Sequence, residues 1–365
     1  MKGGSVGLTL PSFFARTQAP LLGIDLSASS VKVVELVPGR QCAMRLERYA
    51  IEGIERGAIV DGNVERPEVV ADALMRAMRK SGMKTKTVAL ALPASSVITK
   101  RIALPAGMRD DDYEMQVESE ASQYIPFAIE EVNLDFQILG PSVASPEDVD
   151  VLLAASRKEK IDDRVVVAEM AGLKPMIMDV EPYAARSSID HIASYLPDHG
   201  DGLILAVFDI GSLSTSLTVV LNGQTIFERE QAFGANQLTQ DIVRLYGLTH
   251  DEAEQKKRVG DLPDNYEKEL LHPFVEQGAT DISRSLQFFF TSTPYTRVDR
   301  IYLAGGGAVT PGLIDAVAER TKIATELFSP FQGMEISSHV REKQMRMDAP
   351  AMLVSCGLAM RRFDS

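Results

Sequence analysis

Gly23-Ile24-Asp25-Leu26-Ser27-Ala28-Ser29-Ser30-Val31-Lys32 is an apolar strand that ends in a carboxylate and a tight turn of small hydroxyl residues, followed by a second strand carrying a lysine. Val207-Phe208-Asp209-Ile210-Gly211-Ser212-Leu213-Ser214-Thr215 repeats that order in the second half of the chain. Taken singly, each segment reads as an ordinary polar hairpin turn. Taken together, they put Asp25 and Asp209 at the ends of equivalent strands facing one cleft. Backbone N–H groups and the hydroxyls of Ser27, Ser29 and Ser30, with Gly211, Ser212 and Ser214 in the second copy, can then be aimed at phosphate oxygens. Lys32 adds a point charge, and Asp25 and Asp209 can hold the water shell of Mg2+, an ion that keeps several waters.

The elements around the two turns repeat as well. Leu21 to Leu26, Val31 to Val37 and Met44 to Ile51 read as strands, and a helix opening at Pro67 and stopping at Gly82 leads into a strand over Thr87 to Leu92. Leu203 to Ile210, Ser214 to Leu221 and Thr225 to Gln231 read as three more strands, with a helix over Gln237 to Tyr246. Arg300 to Ala304 is a buried-type strand that runs into Gly305-Gly306-Gly307, where the backbone can approach a flat ring or a phosphate closely. A helix is expected to open at Pro311, and Pro350 to Met360 reads as a closing apolar helix. Two β-β-β-α-β halves predict duplicated lobes with a ligand cleft between them.

Residues 97–155 do not belong to that repeat. A strand (Val97 to Leu104), an acidic helix (Asp110 to Tyr124) and two strands (Val132 to Ile138, Val149 to Ala155) form an inserted subdomain, since structureless loops of such length are rare. Ile161, Val165 and Ala168 then mark a helix ended by Gly172, and Pro175 to Val180 returns to the first lobe. The expected division is an N-terminal arm over 1–20, a first lobe over 21–96 and 156–200, the insert over 97–155, and a second lobe over 201–365 with a smaller subdomain at about 247–297.

Composition narrows the function classes. A chain of 365 residues, 45% hydrophobic, buries a large core. A formal charge of −13 leaves no broad basic surface for phosphate-backbone binding, which excludes DNA and RNA as partners. Cys42 and Cys356 fit neither a disulfide framework nor a zinc spacing, which suits a reducing compartment. No stretch reaches the roughly 18 apolar residues of a membrane span, so a cytoplasmic protein is expected. In the arm, Phe13 and Phe14 are expected to dock on the protein's own surface or remain loose.

The two hairpins and the glycine turn together resemble the actin-like ATPase superfamily, an α/β fold of ribonuclease H-like lobes, over nearly the whole chain. That resemblance implies ATP and Mg2+ as ligands. Asp179-Val180-Glu181-Pro182-Tyr183-Ala184-Ala185 is similar to the connecting-helix start of bacterial actins, which implies that Glu181 positions an attacking water. Ala253-Glu254-Gln255-Lys256-Lys257 resembles their ribose and base segment, which implies nucleoside contacts by Glu254 and Lys257. Read from its residues alone, the same segment is a salt-bridged helix capped by Thr249 and Glu252, with Glu252–Lys256 and Glu254–Arg258 pairs.

Within that superfamily the insert resembles the subdomain of the FtsA family. Glu118-Ser119-Glu120-Ala121-Ser122-Gln123-Tyr124-Ile125-Pro126-Phe127 and Val132-Asn133-Leu134-Asp135-Phe136 resemble the PilM family of type IV pilus assembly proteins. The resemblance implies a cytoplasmic platform component that grips the N-terminal cytoplasmic tail of the membrane protein PilN and contacts other platform proteins and the motor ATPases. Self-association is possible for such a fold. FtsA proteins carry a C-terminal amphipathic helix; this chain ends Met360-Arg361-Arg362-Phe363-Asp364-Ser365, so membrane contact is expected only through partners. Tyr124, Phe127 and Phe136 are the candidate partner contacts, against the alternative that they fill the insert's own core. Ser212 and Leu213 replace the glycines of active relatives in the second hairpin, so hydrolysis is expected to be slow. A filament-forming homologue and a small-molecule kinase stand as alternatives.

Overall fold

The computed structural model describes residues 19–40, 44–142 and 145–364. The expectations for Phe13, Phe14 and Cys42 therefore lie outside the described residues.

The first lobe opens with three antiparallel strands, β1 (Leu22–Leu26), β2 (Ser30–Pro38) and β3 (Met44–Gly53). A small hairpin, β4 (Ile59–Val60) and β5 (Asn63–Val64), leads to α1 (Pro67–Ser81). Helix α1 starts where the sequence places it, with proline in its first turn, and Gly82 ends it in the left-handed conformation at φ 68°. Strand β6 (Thr87–Leu92) runs parallel to β1.

The insert follows as β7 (Ile98–Pro105), α2 (Asp110–Ala121), β8 (Val132–Pro141) and β9 (Asp148–Arg157), with β9 central in a three-stranded antiparallel sheet. Tyr113, Val117 and Ala121, four residues apart on α2, close the insert's own core against Ile102, Leu104, Val151 and Leu153. The chain returns through α3 (Lys158–Met170), β10 (Lys174–Val180) and α4 (Glu181–Ala193).

The second lobe repeats the plan with β11 (Ile204–Ile210), β12 (Thr215–Leu221), β13 (Gln224–Gln231), α5 (Asn236–Tyr246), α6 (His250–Val259), the long α7 (His272–Ser292) and β14 (Arg300–Ala304). It ends with α8 (Leu313–Thr321) and β15 (Thr325–Leu327). Gly312 precedes α8 with φ 82°, so the helix begins at Leu313 and not at Pro311. The two main sheets have the orders β10-β6-β1-β2-β3-β16 and β13-β12-β11-β14-β15.

The last segment corrects the expected second lobe of 201–365. After β15 the chain crosses back: β16 (Glu335–Ile336) pairs parallel with β3, and after α9 (Glu342–Asp348) and a tight turn over 349–352, α10 (Leu353–Met360) packs on β1 and α4. The physical reason is small-residue contact. A Cβ at Gly23 would strike the backbone of Ser355 and Ala359, and one at Gly357 would strike the carbonyl of Ala184. Two glycines thus let α10 lie against a strand on one side and α4 on the other. Arg361 completes the return by pairing with Asp179 at 2.6 Å.

Candidate functional site

The first hairpin is held by its own side chains. Asp25 stands directly opposite Lys32 in the β1–β2 register, and cross-strand neighbours share a face. Lys32 Nζ donates to Asp25 Oδ2 at 2.6 Å and to Ser27 Oγ at 3.1 Å. The Ser27 hydroxyl in turn donates to the Ser30 carbonyl at 2.9 Å. Two of the three ammonium donors are thereby used within the hairpin, and Ser29 is the exposed tip.

The second hairpin is held by the chain behind it. Gly211 N–H donates to the Ser214 carbonyl at 2.9 Å, while Ala235 and Asn236, at the start of α5, donate to the carbonyls of Gly211 and Ser212 at 3.0 and 2.9 Å. The Ser214 hydroxyl donates to Glu230 at 2.6 Å, so it points along β13. Leu213 is left 53% exposed at the tip.

The three glycines after β14 divide their roles. Gly305 has φ 85°, and a Cβ there would collide with the Ile210 carbonyl and the Asp209 carboxylate. Gly307 packs on the Ile210 side chain and donates to its carbonyl at 2.8 Å. Gly306 alone is exposed with nothing around its Cβ direction. The expected close approach of a ligand therefore falls on Gly306, because its neighbours are spent seating the turn on the second hairpin.

Glu181 opens α4 immediately after β10, with Pro182 behind it. Burial, then Asp25, raises its carboxyl to about 8 against the pull of Arg164 and Lys32, and Asp209 adds to the rise. Asp209 is itself pushed up to about 6 by burial, with Lys32 opposing and Asp25 adding. Burial works to lower Lys32, yet Asp25 first, then Asp209 and Glu181, holds it above its ordinary value. The three carboxyls share one electrostatic neighbourhood with Lys32 and Arg164, and only with all three ionised would they outnumber those two cations. A divalent cation would favour that fully ionised state. Among the described residues no group of His, Cys, Asp and Glu is placed to hold a bare metal ion.

Sequence reasoning missed Arg164. The expected stripe on α3 was Ile161, Val165 and Ala168, but Arg164, Val167 and Ala168 are the buried positions. Arg164 is 1% exposed and donates to the carbonyls of Ala91 and Gly62 at 2.8 Å each, and to that of Lys160 at 3.4 Å. Its spacing from Val167 and Ala168 was the available signal. The cation lies in the field of Glu181 and Asp25 while its hydrogen bonds hold the tip of the β4–β5 hairpin.

Beside the second hairpin, Glu254 and Lys257 meet on one face of α6. Lys257 Nζ lies 2.6 Å from Glu254 and 2.6 Å from Thr239 Oγ1, and Thr239 also donates to Glu254. Burial would raise the Glu254 carboxyl, but Lys257 and Thr239 hold it below its ordinary value. Thr249 and Glu252 form the expected capping box. The expected Glu252–Lys256 and Glu254–Arg258 pairs are replaced by Lys257–Glu254 and Lys256–Asp261, because Glu252 turns back to the cap and Glu254 faces α5.

Where the insert meets the first lobe there is a hollow of about 330 Å³, lined by residues including Asp61, Asn63, Ser95, Phe127, Arg157 and Lys160. Phe127 lies under the Arg157 guanidinium at 5.2 Å and Tyr124 under Lys100 at 5.0 Å, both rings partly exposed. Phe136 differs from that expectation: it is partly buried and packs on the insert's own core, since its β8 position faces α2.

Duplicated β-β-β-α-β lobes, each with an aspartate at its hairpin, and a glycine turn seated on the second hairpin define the actin-like ATPase fold. Ethanolamine utilization protein EutJ from Carboxydothermus hydrogenoformans shares it, with a TM-score of 0.53 and 15% identity over 93% of this chain and 88% of that one. The chain belongs to the family of the type IV pilus assembly protein PilM, whose model matches residues 23–363. A solved PilM-PilN type IV pilus biogenesis complex resembles it with a TM-score of 0.77 and 27% identity, over 96% of this chain and 100% of that chain. The cell division protein FtsA of Enterococcus hirae is 23% identical, covering 85% of this chain and 78% of that protein.

Proposed function

We propose that this chain binds ATP with Mg2+ between its lobes and serves as an assembly platform of the type IV pilus machinery. The observation that carries the nucleotide reading is the duplicated hairpin, which sets Asp25 and Asp209 at the ends of equivalent strands with the glycine turn seated on the second copy. Bound Mg2+ would supply positive charge for the phosphates. Asp25 and Asp209 hold its waters, the Ser27–Ser30 and Gly211–Ser214 turns face the phosphates, Gly306 admits the nucleoside, and Glu254 with Lys257 meets the ribose and base. Glu181 orients a water, and its raised pKa suits a group that takes a proton near neutral pH. The exposed Leu213 keeps that reaction slow.

The junction hollow is the proposed seat of the partner, the N-terminal cytoplasmic tail of a PilN-type membrane protein. Phe127 and Ile98 offer apolar walls and Asp61 a carboxylate for a basic residue. Among the described residues no helix is long and apolar enough to cross a membrane; this partner would hold the chain at the membrane, and the chain would in turn link the inner-membrane platform to the motor ATPases.

A labelled peptide of such a tail, titrated into the full chain, tests the partner site. Ser95→Trp, which fills the hollow from an exposed position, is expected to abolish capture while Mg-ATP still binds. Undiminished peptide affinity would move the site elsewhere. Glu181→Gln is expected to remove residual hydrolysis with ATP affinity nearly intact, as for a transition-state role; equal loss of both would sink that role.

A further inference from the structure

Between Asp72 and Asp110 the chain contains no acidic residue, although its formal charge is −13. Four cations of that stretch, Arg79, Lys80, Lys84 and Lys86, lie at one edge of the first lobe, while Lys100, Arg101 and Arg109 belong to the insert. Arg79 and Lys80 end α1, and Lys84 and Lys86 lie in the turn that leads into β6. Lys174 opens the neighbouring β10, its N–H donating to the Lys86 carbonyl at 2.7 Å. All five are exposed. Lys80 is paired with Glu52 at 2.6 Å, and the nearby Glu35 accepts from Thr85 at 2.6 Å. Glu169, near the end of α3, is a further exposed acid on this side. No ion pair among the described residues reaches Arg79, Lys84, Lys86 or Lys174.

Two further observations bear on what this edge meets. Met176, two residues beyond Lys174, is 55% exposed, and Met170 at the end of α3 is 48% exposed. The chain also enters the fold here, since Thr87, next to Lys86, donates to the Pro20 carbonyl. The residues before Pro20 include Lys2, Arg16 and the pair Phe13-Phe14, with no acid among them.

We propose that this edge of the first lobe is a docking surface for an anionic lipid bilayer, with Arg79, Lys84, Lys86 and Lys174 facing the headgroups and Met170 and Met176 at the interfacial level. Unpaired lysines are mobile point charges suited to a diffuse anionic surface, and adjacent apolar side chains add burial that an acidic soluble protein does not require. The surface stands apart from the interlobe site and from the partner hollow, so it adds a direct contact to whatever attachment a membrane partner provides.

The test is sedimentation of the full chain with phosphatidylcholine vesicles that contain or lack phosphatidylglycerol, without any partner. Recovery is expected only on the anionic vesicles and is expected to fall with added salt. Each lysine-to-glutamine change at Lys84, Lys86 and Lys174 is expected to weaken partitioning about fivefold. Lys268→Gln with Lys343→Gln, exposed changes elsewhere, is expected to leave it unaltered. All three patch positions are exposed, and circular dichroism checks that the variants remain folded. No recovery on anionic vesicles, equal recovery on neutral ones, or recovery undiminished in the triple variant would overturn the proposal.

Discussion

The two hairpins share a backbone plan and differ in charge. In β1–β2 the residue opposite Asp25 is Lys32; in β11–β12 the residue opposite Asp209 is Ser216. The first hairpin therefore carries its own counterion and braces its turn with it. The second has none in that register, and burial raises its aspartate to about 6. Its turn is braced instead by α5 from behind and by Gly305 and Gly307 from above. The two copies thus keep one scaffold with unequal electrostatics.

The seating of the second hairpin is the feature whose loss costs most. Gly305→Ala requires both positive φ and a collision with the Ile210 backbone, and is expected to destabilise the protein by about 3 kcal/mol or more, read by chemical denaturation. A wild-type midpoint would show that the glycine turn is not seated on Asp209 and Ile210. On the first hairpin's side, Arg164→Met strands the buried Ala91 carbonyl and the half-buried carbonyl of Gly62. Its expected cost is about 2–3 kcal/mol in the same assay.

Protonation sharpens the contrast. Asp209 and Glu181 both have folded-state values above the ordinary carboxylate range, so the folded chain binds more protons than the unfolded one as pH passes through about 6 and about 8. With respect to these groups stability is therefore full below the ordinary carboxylate range and falls as pH rises toward about 6 and about 8 in the ligand-free protein. Urea midpoints from pH 5 to pH 9 measure this, and Glu181→Gln is expected to flatten the upper half. Mg-ATP should flatten it too.

The smallest expected effect is the most pointed. Ser216→Lys supplies the second hairpin with the cation that the first already has, at an exposed position. It is expected to return the Asp209 carboxyl toward its ordinary range, a change of roughly 1 kcal/mol visible in a carboxyl NMR titration. An unmoved Asp209 would mean that burial alone, without regard to the facing residue, separates the two hairpins.

Much of this arrangement was legible because it is written locally. The hairpins, the Pro67 start and Gly82 stop of α1, and the Thr249–Glu252 capping box depend on residues a few positions apart. The return of the chain end to the first lobe was not legible, because β16 has two residues and its partner β3 lies almost three hundred positions away. Arg164 was hidden because a charged residue on a helix reads as solvent-facing unless its backbone acceptors, brought by β6 and the β4–β5 hairpin, are known. The separate duties of Gly305, Gly306 and Gly307 likewise depend on the second hairpin packed beneath them. In α6 the i,i+4 spacing pointed to Glu252–Lys256 and Glu254–Arg258, and it was the packing of Glu254 against α5 that turned it to Lys257 instead.

The proposed Mg-ATP site draws on both unequal hairpins at once. Titration calorimetry of ATP into the full chain, with and without Mg2+, tests it most directly when repeated on Asp25→Ala and Asp209→Ala. Binding is expected to be saturable, to require Mg2+ and to weaken about tenfold or more in both variants. An affinity unchanged by removal of Mg2+, or by loss of either aspartate, would contradict it.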